Sequence, residues 1–134
     1  MGEKDHAIFL DCDAIRHEWI PLNLKDYRLI ISNTNKKRKL SDSKYNERVE
    51  ECAQAVNYLK SCLDVKQLGQ VSMADFETYQ HKIPDETIRK RARHVISEND
   101  RVLRAVASMR RNDLQDLGRL MDQSHDSLRY DYEV

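Results

Sequence analysis

Glycine is scarce: Gly2, Gly69 and Gly118 are the whole complement, and they stand far apart. No Gly-rich segment exists, so the chain lacks the bare backbone loop whose amides wrap a phosphate group, and alone it is excluded as a self-sufficient nucleotide-dependent transferase. With only Pro21 and Pro84 beside those glycines, no flexible linker and no low-complexity tract can be drawn. Net charge is also absent. Lys plus Arg and Asp plus Glu number 23 each, so no whole-molecule field pulls the chain toward nucleic acid or an acidic membrane. No apolar run approaches the roughly 20 residues that span a bilayer, and no signal-peptide core follows the opening MGEKDH. A soluble, cytoplasmic protein is expected. Cysteine is limited to Cys12, Cys52 and Cys62, an odd number. The last two fall on one expected helix about 15 Å apart, too far to bridge, which suits reduced intracellular thiols. No Cys or His arrangement has zinc spacing: His94 and Glu98 lie one turn apart, but two ligands do not make a site.

At 134 residues the chain is the size of one domain with one core. Three stretches read as strands, all in the first quarter: Ala7 to Asp11, Glu18 to Leu22 and Tyr27 to Ser32. The period then turns helical. Tyr45, Val49, Cys52, Val56, Leu59 and Leu63 draw one apolar stripe. A looser stretch around Leu68 leads to Ser72, an N-cap candidate with Asp75 three residues on, so a short helix carrying Phe76 and Tyr79 is expected before Pro84. From Asp85 to about Met109 the stripe is Ile88, Ala92, Val95, Val102 and Val106. After an RRND corner it is Leu114, Leu117, Met121, Ser124 and Leu128, and the two long helices are expected to pack antiparallel. The class is α+β, short antiparallel strands first and a mostly helical body after.

Three polar features bear on function. The basic run Lys36 to Lys39 reads as a solvated loop, an anion-facing loop or an import signal. Tyr45 opens the first stripe and reads on periodicity as a core-edge tyrosine whose hydroxyl reaches water. His94 and Glu98 read as members of a polar network with Arg91, Arg93 and Arg101 on or near a helix surface.

Three ordered blocks carry a resemblance. Asn33, Thr34, Asn35, Lys36, Lys37 and Arg38 are followed by Leu40, Ser41, Asp42, Ser43, Tyr45 and Arg48; a second block holds Arg89, Arg91 to Ile96, Glu98 and Arg101. The third runs through Gly118 to Met121, Gln123 to His125, Ser127 to Arg129 and Asp131 to Val134, and the opening KDHAIFLDC adds a fourth match. In these segments the chain resembles galactokinases, sugar kinases of the GHMP superfamily. The resemblance implies an internal piece of such an enzyme: residues 1–134 as one incomplete domain, with 1–32 a hairpin and strand at the lobe junction and 33–134 the helical part of the C-terminal lobe. It implies that the parent, with ATP and Mg2+, phosphorylates the C1 hydroxyl of galactose, and that the piece alone is inactive, because the family's phosphate loop and catalytic Asp precede the opening hairpin. Met121, Asp122 and Gln123 look like the family's catalytic M-D-Q segment but stand in the wrong block, so Asp122 is not assigned that role.

One residue takes a site role from the resemblance. Tyr45 matches the tyrosine at the family's sugar site, where a phenol offers a hydroxyl to a sugar hydroxyl and a flat ring to its carbon face. Lys37 and Arg38 are candidates to face phosphate. No catalytic residue and no metal ligand is assigned. The competing expectation is a small helical interaction module without enzymatic activity, and a kinase acting on a galactose derivative is a third. An excised lobe should expose apolar surface and self-associate, which separates the first two.

Overall fold

The computed structural model describes residues 2–33, 35 and 44–133. Two strands, β1 (His6–Asp11) and β2 (Arg16–Pro21), form an antiparallel hairpin in which Ala7 faces Ile20 and Asp11 faces Arg16. The Asp11 carboxylate accepts from the amides of Asp13 and Ala14, each at 3.0 Å, which closes the turn with a side chain where glycine is lacking. Ile20 is fully buried, and β2 lies against the long third helix, tied to it by Arg110 and Glu18 at 2.6 Å.

Tyr27 to Ser32 form no strand. The segment has no regular secondary structure, with Leu29, Ile30 and Ile31 between 60% and 88% exposed. Its composition suits a sheet, but a strand exists only with a neighbour to complete its ladder, and no described residue supplies one.

Four helices follow: α1 (Lys44–Leu59), α2 (Met73–Tyr79), α3 (Glu86–Arg110) and α4 (Leu114–Ser127). Ser72 caps α2 by accepting from the Asp75 amide at 3.1 Å, and Asp85 caps α3 through the Ile88 amide at 3.0 Å. The RRND corner has a definite geometry. Asn112 takes a left-handed φ of 57°, its amide bonds the Met109 carbonyl, and the Asp113 amide reaches back to the Ser108 carbonyl. That is a Schellman closure with Asn in the position glycine usually holds. Asp113 then caps α4 through the Asp116 amide. Side-chain bonds pair Ser108 with Asp116, Glu98 with Ser124 and His94 with Ser127, so α3 and α4 run antiparallel.

The core gathers Ala55, Val56 and Leu59 of α1, Leu68 and Val71 of the 3₁₀ turn region, Phe76 of α2, Ile83, and Ile88, Ala92 and Ile96 of α3. Each fully buried aliphatic or aromatic side chain contributes on the order of 2 kcal/mol. Some members of the expected stripes on three helices face outward. On α1, Arg48 is buried while Tyr45 is 74% and Val49 52% exposed. On α4, Leu120 is buried and Met121 faces out, and on α3 Val102 is exposed. A π-helical turn, Leu128–Tyr132, carries the chain back across α1 and α3.

Candidate functional site

The start of α1 holds little apolar material. From Lys44 to Glu50 every residue is exposed except Arg48, at 5%. Burying a guanidinium is costly unless its donors are matched. Here Nη1 of Arg48 donates to Oε2 of Glu51 at 2.8 Å, and Nε donates to the Tyr132 carbonyl at 2.8 Å. The same Glu51 oxygen accepts from Nε of Arg91 at 3.0 Å. Arg91, 2% exposed, spends its other nitrogens on the Asp131 carbonyl and on Glu133 at 2.9 Å. One carboxylate thus joins two buried arginines from different helices, and both arginines hold the Asp131–Glu133 segment.

The electrostatics follow the contacts. Burial by itself would pull the Arg91 guanidinium down, but its bonds to Glu133 and Glu51 outweigh that and raise it further, so it stays charged. The Arg91 bond and charge hold Glu133 below the ordinary carboxylate range. Burial pushes the Cys52 thiol and the Tyr132 phenol up, which keeps both neutral.

His94 lies inside this cluster and not on a helix surface. It is 6% exposed, its ring stacks on Tyr132 at 4.5 Å between centroids, and Nδ1 sits 3.0 Å from the Ser127 hydroxyl. Burial lowers its affinity for a proton below the usual histidine value. Ser127 donates to Asp131 at 3.0 Å, so the neutral ring donates to Ser127 through Nδ1–H. Histidine, serine and aspartate are all present, but serine stands in the middle with its proton turned to the carboxylate. Nucleophilic catalysis needs the histidine in the middle, taking the serine proton. The cluster is structural. The part of the network that faces outward is Glu98, which binds Arg101 and Ser124, while Arg93 reaches Gln80.

Tyr45 stands on the first turn of α1, one turn before Arg48, with its ring open to solvent. It is not a core-edge residue, since most of its surface is exposed. Lys37 and Arg38 lie outside the described residues, so their relation to Tyr45 has no geometry. Asp122 is exposed on α4 and takes no part in the polar cluster. Among the described residues no group of three His, Cys, Asp or Glu could hold a metal ion, and the three cysteines are free. No described helix is long and apolar enough to cross a membrane.

Comparison with known proteins decides the relationship. No protein-family model matches the chain. A galactokinase of Limosilactobacillus reuteri (strain DSM 20016) is 48% identical over all 134 residues, and one of Lactobacillus helveticus is 52% identical over the same span. The chain is related to galactokinases from end to end. It spans about a third of their length: 34% of each of those two, and 35% of a Clostridium perfringens galactokinase that is 50% identical. Among solved structures, a Lactococcus lactis galactokinase in complex with galactose superposes on 99% of the chain and 34% of its own length, with a TM-score of 0.92 at 43% identity. The hairpin and helical body of the chain therefore match about one third of a galactokinase.

Glu51 had no part in the sequence motifs, Arg48 and Tyr132 entered only as pattern matches, and Arg91 entered as a pattern match and as a member of the expected polar network. A signal was there in retrospect. Arg48, Glu51, Ala55 and Leu59 are spaced by three and four, so the buried face of α1 begins with two charged residues. Periodicity weighs only apolar residues, and it drew the start of the stripe through Tyr45 and Val49 instead of Arg48 and Glu51.

Proposed function

We propose that this chain forms one wall of the sugar site of a galactokinase, which transfers the γ-phosphoryl group of ATP to the C1 hydroxyl of galactose and yields galactose 1-phosphate. The observation that carries this is the close superposition on a galactokinase bound to galactose over nearly every residue of the chain. In this role the chain makes up most of the helical part of the C-terminal lobe, residues 33–134, with 1–32 at the lobe junction. The protein works in the cytoplasm.

Tyr45 is the sugar contact. Its ring is held by a helix and loses little freedom on binding, and its hydroxyl can donate to or accept from a sugar hydroxyl. A contact of this kind, remote from the transferred group, binds ground and transition states alike and appears in KM.

The described residues do not fit Mg-ATP by themselves. None of the three glycines has a left-handed φ or a neighbour within 4 Å of where a Cβ would stand, so none is shaped into a phosphate cradle. The phosphate loop and the acid that handles the sugar proton are assigned to the remainder of the enzyme, and the chain alone is inactive. Lys37 and Arg38 are proposed to place positive charge toward the phosphates. Leu29, Ile30 and Ile31, exposed and apolar, favour self-association of the isolated chain.

The test is Tyr45→Phe in the complete polypeptide. The expected result is a galactose KM raised by about fivefold, the worth of one hydrogen bond, with kcat little changed. Galactose kinetics equal to wild type would remove Tyr45 from the sugar site.

A further inference from the structure

The first two turns of α1 carry the proposed sugar-binding residue and have almost no apolar packing against the described residues. Lys44 to Glu50 present a single buried side chain, Arg48, and the apolar core reaches α1 only at Ala55, Val56 and Leu59, with Cys52 partly buried beside them. A helix start also has unpaired backbone amides and frays most readily. Yet a ring that meets a small sugar must be held to a fraction of an ångström to contribute fully.

We infer that Glu51, through Arg48 and Arg91, is the positioning residue that fixes Tyr45 for sugar binding. Its Oε2 is shared by Nη1 of Arg48 at 2.8 Å and Nε of Arg91 at 3.0 Å. Arg91 belongs to α3, which is anchored in the core by Ile88, Ala92 and Ile96 on both sides of it. Arg48 in turn donates to the Tyr132 carbonyl and lies over its ring at 5.9 Å, while Arg91 holds Glu133. The start of α1 is thus bolted to α3 and to the Leu128–Tyr132 turn by charge-assisted bonds, where other helices use leucine or valine. Directional bonds suit this task, since apolar contacts would let the helix end rotate or slide. Glu51 touches no sugar and acts through Tyr45, so the inference rests on the proposed role of that tyrosine.

A double-mutant cycle in the complete enzyme tests it, with galactose and ATP KM and kcat measured for Glu51→Gln, Tyr45→Phe and the pair. Glutamine keeps the shape of Glu51 and removes the charge that binds two guanidinium groups. The expected result is a galactose KM raised about three- to tenfold by Glu51→Gln, with ATP KM unchanged, and little further rise when Glu51→Gln is added to Tyr45→Phe. If Tyr45→Phe raises the galactose KM while Glu51→Gln leaves it at the wild-type value, the positioning role is overturned and the sugar contact stands. If Tyr45→Phe itself leaves KM unchanged, both fall. Additive effects in the double variant also overturn positioning, because Glu51 would then act by another route. Should Glu51→Gln fail to fold, Arg48→Lys replaces it in the same cycle: it keeps the charge and loses the Nε–H bond to Tyr132. The same outcomes decide, and Arg91→Lys serves as the conservative partner on α3.

Discussion

Arg91 of α3 and Glu51 of α1, 40 residues apart in sequence, meet at 3.0 Å with side chains 3% and 13% exposed. Removing one partner of a buried pair leaves the other charge without compensation, which costs about 3–5 kcal/mol. Glu51 serves two arginines that keep Glu133 and Glu47 as outer partners, so Glu51→Ala should destabilise the protein by about the lower end of that range in urea unfolding. Loss of less than ~1 kcal/mol would show that solvent reaches both guanidinium groups.

The register of α1 makes a separate prediction. Leu59 is fully buried and Val49 is 52% exposed, although both belong to the same apolar stripe in the sequence. Leu59→Ala should cost about 2–5 kcal/mol, and Val49→Ala less than about 0.5 kcal/mol. Equal losses at the two sites would place Val49 inside and restore the stripe with Tyr45 at its head.

Asn112 allows a test of the α3–α4 corner. At φ 57° it occupies a conformation that most side chains resist. Asn112→Gly should be neutral or slightly stabilising, whereas Asn112→Val should cost about 1–2 kcal/mol. Thermal midpoints of the two variants check this, and a higher midpoint for valine would contradict the Schellman closure.

His94 and Glu133 act on stability in separate pH windows. His94 binds a proton less readily in the fold than in the unfolded chain, chiefly because it is buried. As pH falls below about 6.5 the unfolded state gains that proton first. Stability is therefore full above this value and declines as pH falls toward the lowered folded value. Glu133 is also shifted down, by its bond to Arg91, so its contribution is present above the ordinary carboxylate value and disappears as pH falls through the folded one. His94→Gln should flatten the stability profile between about pH 7 and pH 5 and leave the acid limb in place. A profile unchanged in the upper window would mean that His94 is accessible to solvent.

Much of the fold was legible in the sequence because its signals were local. Ser72 with Asp75, Asp85 after Pro84, and the RRND corner each declare a helix end through their own side chains. The hairpin was legible for the same reason. Tyr27 to Ser32 was misread because pairing depends on residues elsewhere, and β-rich composition cannot supply a partner. Tyr45, Val49 and Met121 were placed on buried faces because the pattern counts them as apolar, and at the start of α1 it cannot know that Arg48 finds buried acceptors. The sugar-site assignment of Tyr45 came from the family resemblance; the periodicity made it a core-edge residue, and its exposure overturns that reading. Of the polar cluster, His94 and Arg91 were read as network members, but their partners were not. Its members are drawn from three distant segments, and only the folded chain brings Glu51, Arg91 and Tyr132 together.

The most direct measurement is galactose-dependent release of ADP by the complete polypeptide and by the 134-residue chain alone, each with Mg-ATP, with glucose and N-acetylgalactosamine as comparison sugars. The complete protein should turn over galactose and not glucose, and the chain alone should release no ADP with any sugar. Absence of turnover by the folded complete protein, or turnover by the chain alone, would contradict the assignment of this segment as the sugar-site wall of a galactokinase.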